Sequence, residues 1–132
     1  MDVIEIMNTR VVTVNENMLI LDVRNIMMEE DITALPVVDK LDCLSGIITQ
    51  SDLFTLENLY LRNDNYNKDQ IKGVKVKDVM TKSVITINKS VSVEEAANKI
   101  LSNHIHRLIV TDGQKINGIV SSTDILKAIL DK

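Results

Sequence analysis

His104-Ile-His-Arg-Leu-Ile-Val-Thr-Asp-Gly-Gln-Lys-Ile-Asn-Gly-Ile-Val-Ser-Ser-Thr-Asp-Ile-Leu126 holds two β-branched runs separated by a short polar segment with Asp-Gly. Val, Ile and Thr suit a half-buried strand, and the Asp, Gly and Asn between the runs suit a hairpin loop. The second run ends on Ser121-x-x-Asp124 ahead of an apolar stretch, a spacing that caps the open N–H groups of a helix's first turn. The reading is therefore strand, turn, strand, helix. His106 and Arg107 open the first strand, and a hydroxyl-carboxylate pair closes the second.

Working outward, the same pattern occurs earlier. Moving the chain by 73 positions lays Val3-Ile-Glu-Ile-Met7 on Val76-Lys-Asp-Val-Met80, Val11-Val-Thr-Val-Asn15 on Val84-Ile-Thr-Ile-Asn88, and Leu35-Pro-Val-Val-Asp39 on Leu108-Ile-Val-Thr-Asp112. One residue is then dropped in the turn, and Gly46-Ile-Ile-Thr-Gln-Ser-Asp52 falls on Gly118-Ile-Val-Ser-Ser-Thr-Asp124. Self-similarity over nearly all of each half marks an internal duplication.

Each half reads β-α-β-β-α. Val11 to Val14 and Val84 to Ile87 are expected strands. Ile20, Val23 and Met27, thickened by Met18 and Met28, give the first helix an apolar stripe. Val93, Ala96, Ala97, Ile100 and Leu101 do so in the second half, after a Ser92/Glu95 capping box. Closing helices carry Leu53, Phe54, Leu56 and Tyr60, then Ile125, Leu126, Ile129 and Leu130. The expected fold class is α/β (α+β), two pseudo-symmetric repeats spanning residues 1–62 and 76–132. The connection, residues 63–75, is polar and Asn-rich at its start, which suits an exposed linker.

Composition narrows the functional classes. At 132 residues with 45% hydrophobic side chains, the chain can bury a core without covalent staples. Phe54, Tyr60 and Tyr66 are its only aromatics, and the formal net charge is -4, so stacking platforms and a basic patch for nucleic acid are both lacking. Cys43 is the single cysteine, which excludes an internal disulfide and any Cys-based metal site within one chain. No apolar run approaches the roughly 20 residues of a membrane span. These features lead to the expectation of a cytoplasmic protein with neither nucleic acid nor membrane as partner. His104 and His106, two residues apart, lack a matched acidic third ligand for a metal. There is no HExxH, no Gly-rich phosphate loop and no nucleophile with an acid-base pair, so the expectation is that the chain is not an enzyme.

The duplicated signature resembles a tandem pair of cystathionine-β-synthase (CBS) domains. The resemblance rests on the Met-Asn or Met-Thr start, Val-Val-Thr-Val or Val-Ile-Thr-Ile, Leu-Pro-Val-Val-Asp, and Gly-Ile-(Ile or Val)-(Thr or Ser)-x-x-Asp, and it covers residues 2 to 130. It implies two repeats packed sheet to sheet as one module, pairing into a homodimer. It also implies an adenosine-containing ligand (AMP, ADP, ATP or S-adenosylmethionine) bound in the cleft between the repeats, and the regulation of a partner protein that the sequence does not identify. Carried over by position, Ser121 and Asp124 would meet ribose hydroxyls, as would Thr49 and Asp52. His106 and Arg107 would face phosphate, and Val12, Thr13, Ile85, Thr86 and Ala34 would frame the adenine.

The residue chemistry is compatible with those roles. An ionised carboxylate accepts from two neighbouring hydroxyls, and phosphate is served by Arg, by a donor His and by free N–H groups at the Ser122-Thr123 turn. Ser-x-x-Asp and Thr-x-x-Asp are equally helix-capping signatures, and the two roles are compatible. The repeats differ in one respect: Thr33 and Ala34 stand where the second half has His106 and Arg107. Unequal sites are therefore expected, the weaker one empty or completed by Arg10, Lys82 or a second copy. Ile109 in place of Pro36, and Thr111 in place of Val38, are departures that shift the backbone near the adenine. A structural docking module without a small ligand is the alternative.

Overall fold

The computed structural model describes residues 1–61 and 68–131. Among them the chain forms β1 (Val14–Asn15), α1 (Ile20–Glu30), β2 (Ala34–Val38), β3 (Leu44–Thr49) and α2 (Gln50–Leu61). These are followed by β4 (Thr86–Asn88), α3 (Val93–Ser102), β5 (Arg107–Asp112), β6 (Lys115–Ser121) and α4 (Ser122–Leu130). Short 3-10 turns lie at Val3–Glu5, Lys68–Gly73 and Val76–Asp78. The β-α-β-β-α order is present twice, in a mixed α/β fold with two three-stranded sheets, β1-β2-β3 and β4-β5-β6. Residues 62–67, at the junction of the first repeat and the polar connection anticipated from composition, lie outside the described residues.

The compact units are not the sequence repeats themselves. One unit is Met1–Val11 with Ile85–Lys132, and the other is Val12–Val84. Each borrows the segment that precedes the other's first strand. In the first unit, Val3 N donates to the Val91 carbonyl and Val93 N, at the start of α3, donates to the Met1 carbonyl, both at 2.9 Å. Asn8 and Ile119 exchange both backbone bonds, at 2.8 and 2.9 Å. In the second unit, Ile20 N reaches the Val74 carbonyl and Val76 N the Met18 carbonyl, while Thr81 and Ile47 exchange two bonds, all at 2.9 Å. Helix-start N–H groups that water would otherwise satisfy are thus closed by the borrowed segment. Val3 and Val76, both fully buried, anchor it, each contributing about 1.5 to 3 kcal/mol of apolar transfer.

The unit boundaries cut through the two expected first strands, and β1 and β4 begin two or three residues later than the β-rich runs do. Pairing waits until the crossing chain reaches a partner strand. β4 pairs in parallel with β5 from Thr86↔Ile109, but β1 pairs with β2 only from Val14↔Val37. The missing pair is the one at Pro36, whose ring nitrogen has no hydrogen to give.

The helix stripes pack largely as the spacing requires. Ile20, Val23, Met27, Leu35, Val37, Ile48 and Leu53 form one core, and Ile87, Ala96, Ile100, Leu108, Val110, Val120 and Ile125 form the other. Met18 packs against the first core, but Met28 is 74% exposed, because one position past Met27 turns about 100° away from the buried face. Phe54, Leu101, Leu126, Ile129 and Leu130 are exposed as well. His104 lies in a left-handed turn (φ 54) that ends α3, as Asp31 (φ 53) ends α1, and β5 begins only at Arg107, so the two histidines do not share a strand. The β5-β6 turn has positive φ at Gly113 but not at Gln114, the mark of a type II′ hairpin.

Candidate functional site

The antiparallel register of β5 and β6 places Arg107 directly opposite Ser121. Cross-strand partners of this kind have Cβ atoms about 4.5 to 5.5 Å apart, so the guanidinium and the hydroxyl share one end of the sheet. Parallel pairing brings Ile85 and Thr86, at the start of β4, to the same end. Asp124 follows in the first turn of α4. Six of the expected residues, Ile85, Thr86, His106, Arg107, Ser121 and Asp124, therefore converge within one unit. In the other unit the equivalent positions are Val12, Thr13, Ala34, Thr49 and Asp52, with Ala34 opposite Thr49.

Both hydroxyl-carboxylate pairs are complete capping boxes. Asp124 Oδ2 accepts from Ser121 N at 2.9 Å and Ser121 Oγ accepts from Asp124 N at 3.1 Å. Asp52 Oδ2 and Thr49 Oγ1 repeat the arrangement at 2.9 and 3.1 Å. Each box fixes the carboxylate rotamer through one oxygen. Oδ1 of each aspartate takes no bond from another described residue, and both residues are half-buried. A carboxylate held this way presents spare lone pairs in a fixed direction, which suits acceptance from a diol.

The helix start is less open than the residue pattern implies. Ser122 N donates to the His106 carbonyl at 2.8 Å, and Gln50 N does the same to Thr33. With Asp124 N also engaged, Thr123 N–H is the first-turn donor left for an anion. His106 uses its carbonyl to tie α4 to the strand, while its exposed imidazole and the exposed Arg107 guanidinium have no hydrogen-bond or ion-pair partner among the described residues. Sequence reasoning missed Lys99, whose Nζ donates to the Thr86 carbonyl at 2.8 Å. Its counterpart in the other unit is Ile26, so that edge is closed on β4 alone. Nothing in local sequence signals a contact from one helix face to one strand carbonyl.

A strand-α-strand-strand-α unit present twice, each with a sheet end carrying a capped carboxylate, makes a tandem α/β module. The chain belongs to the CBS domain family, whose model matches residues 3–57 and again 76–131. It is 37% identical over 124 residues to inosine-5'-monophosphate dehydrogenase of Methanocaldococcus jannaschii, covering 93% of this chain but 22% of that enzyme. The chain thus spans about a fifth of the length of that relative. Its structure is similar to that of CBSX2, a CBS domain-containing chloroplastic protein of Arabidopsis thaliana, solved in complex with AMP. The TM-score is 0.82 at 28% identity, covering 98% of this chain and 96% of that one. The CBS domain pair of protein MJ0100, solved with 5'-methylthioadenosine and S-adenosyl-L-methionine, gives a TM-score of 0.78 at 26% identity, with 99% and 97% covered. Among the described residues no helix is long and apolar enough to cross a membrane.

Proposed function

We propose that the chain is a regulatory module that binds an adenosine-containing ligand and passes its occupancy to a partner protein, without catalysis of its own. The observation that carries this is the convergence of Arg107, Ser121 and Asp124 at one sheet end, together with the adenosine ligands of two structures similar over nearly the whole chain. Asp124 Oδ1 accepts from the ribose hydroxyls, Ile85 and Thr86 flank the base, and Arg107, His106 and Thr123 N–H take a 5′-phosphate. Thr49 and Asp52 serve the ribose in the second unit, with Val12, Thr13 and Ala34 around the base. Ala34 and Thr33 provide no cation there, so AMP, ADP or ATP prefers the first unit, and the second suits an adenosine with an uncharged or sulfonium 5′ group.

Ligand energy changes the state of the module only where two arrangements bind the ligand unequally. The exposed apolar side chains of α2 and α4, Phe54 and Leu130 among them, support a homodimer as the form in which such a change is transmitted. The same faces favour a second reading, a docking module with no small ligand. On the α4 side Met1, Val93, Ala97, Ile125 and Ile129 line a groove of about 360 Å³ within the first unit. A thermal-shift series with AMP, ADP, ATP, 5'-methylthioadenosine and S-adenosylmethionine separates the two readings. Stabilisation that grows with ligand concentration is expected. No shift with any of them at millimolar concentration leaves the docking module standing.

A further inference from the structure

The helical faces of the two units occupy matching places in the repeat but carry different chemistry. In the second unit Arg24 on α1 and Glu57 on α2 close an ion pair at 3.3 Å across the two helices. The positions that match them in the first unit are Ala97 on α3 and Ile129 on α4, and there the helices part over the apolar groove. Beside the groove stands a ridge. Leu126 and Leu130, four residues apart and each one position past a groove-lining isoleucine, are 59% and 80% exposed. The second unit has Asn58 where Leu130 stands. The charges of the first unit's face are complementary as well. Glu94 lines the groove from the first turn of α3, and Lys127, three residues before Leu130, flanks the ridge on the side away from the groove. Neither has an ion-pair partner among the described residues.

We propose that the α3 and α4 face of the first unit is the self-association surface of the chain, and that its occupant is the same face of a second copy related by a two-fold axis. A ridge and a groove side by side on one surface suit an isologous interface, because each copy gives its ridge to the other's groove and both are filled at once. The far wall met by an inserted Leu126 and Leu130 ridge is α3, so Lys127 of each copy comes to Glu94 of the other, and the contact is made twice. The α1 and α2 face does not meet the same conditions. Arg24 and Glu57 take the place of the groove, and a leucine ridge laid over them would strip water from an ion pair. This inference rests on the homodimer named in the reading above and adds to it which face carries the axis and which side chains select the partner.

Charge exchange tests the pairing without touching the core, because Glu94 and Lys127 are both exposed. In sedimentation of the full chain, Lys127→Glu and Glu94→Lys each set two like-charge contacts across the axis and should raise the dimer's dissociation constant about tenfold or more. Mixed in equal amounts, the two variants should associate again with nearly the unaltered affinity, because each contact of the mixed dimer once more joins a glutamate to a lysine. Arg24→Ala, in the second unit, should leave the constant unchanged. Thermal melts of each variant check that it is folded. A dimer indifferent to both charge variants, or variants that weaken it and do not recover on mixing, overturns the inference and leaves a homodimer through another face standing. An unaltered protein that is monomeric at millimolar concentration removes the homodimer, and this inference with it, while the ligand-binding reading still stands or falls by the thermal-shift series.

Discussion

Gly118→Ala tests how the borrowed N-terminal segment is held. A Cβ at this position would stand 2.8 Å from the Asn8 carbonyl oxygen and 2.8 Å from Met7 Sδ. The thioether can swing aside, but the backbone oxygen can move only by giving up the exchanged bonds between Asn8 and Ile119. Two backbone hydrogen bonds at about 1 kcal/mol each, with some loss of Met7 packing, put the cost at about 2 to 3 kcal/mol. Gly73→Ala is the control, because nothing lies within 4 Å of its added Cβ, and it should stay within about 0.5 kcal/mol of the unaltered protein. Gly113→Ala falls between them at about 1 kcal/mol, since φ is +64° there but the space is open. Urea unfolding followed by circular dichroism measures all three. If Gly118→Ala is no more costly than Gly73→Ala, the segment is not held by close backbone approach and the exchanged-segment description is wrong.

Further outcomes follow from the site and its surroundings. Arg107→Ala should weaken AMP by about tenfold while leaving adenosine nearly unchanged, because an ion-assisted contact to phosphate is lost and none to the base; equal losses for both ligands would contradict the phosphate role. Ser121→Ala removes one half of a capping box and should lower stability by about 1 kcal/mol in the absence of ligand, read from a thermal melt. Under the homodimer proposed above, Leu130→Lys, on the exposed face of α4, should leave stability unchanged and shift sedimentation toward the monomer; an unaltered protein that already sediments as a monomer, or a variant that stays dimeric, would contradict an interface through α4.

Much of the fold is legible in the residues because its signals are local. The 73-position repeat is one local pattern written twice, and the Ser121/Asp124 and Thr49/Asp52 boxes depend on neighbours within a few residues and appear as read; of the Ser92/Glu95 box only the Ser92 half forms, its Oγ accepting from Glu95 N at 3.1 Å. The exchange of Met1–Val11 and Val74–Val84 between units does not, because bonds such as Asn8 to Ile119 join segments with no shared periodicity. Gly46 and Gly118 were the available hint, glycines inside β3 and β6 where Met80 and Met7 press on the backbone. Apolar spacing on α4 showed a stripe but could not say that only Ile125 of it would be buried. At the site, the partnership of Arg107 with Ser121 follows from hairpin register, which the short turn fixes. The shortened ladder at Pro36 needed the paired strands themselves, although the missing N–H of proline was its cause.

The central claim is that the Arg107–Ser121–Asp124 end of the sheet binds an adenosine ligand. Titration calorimetry of AMP against the unaltered protein and against Asp124→Ala tests it most directly. Binding to the former, weakened about tenfold or more by the loss of one charged acceptor, is the predicted result. Equal AMP affinity in both proteins, or no heat of binding in either up to millimolar AMP, would contradict it.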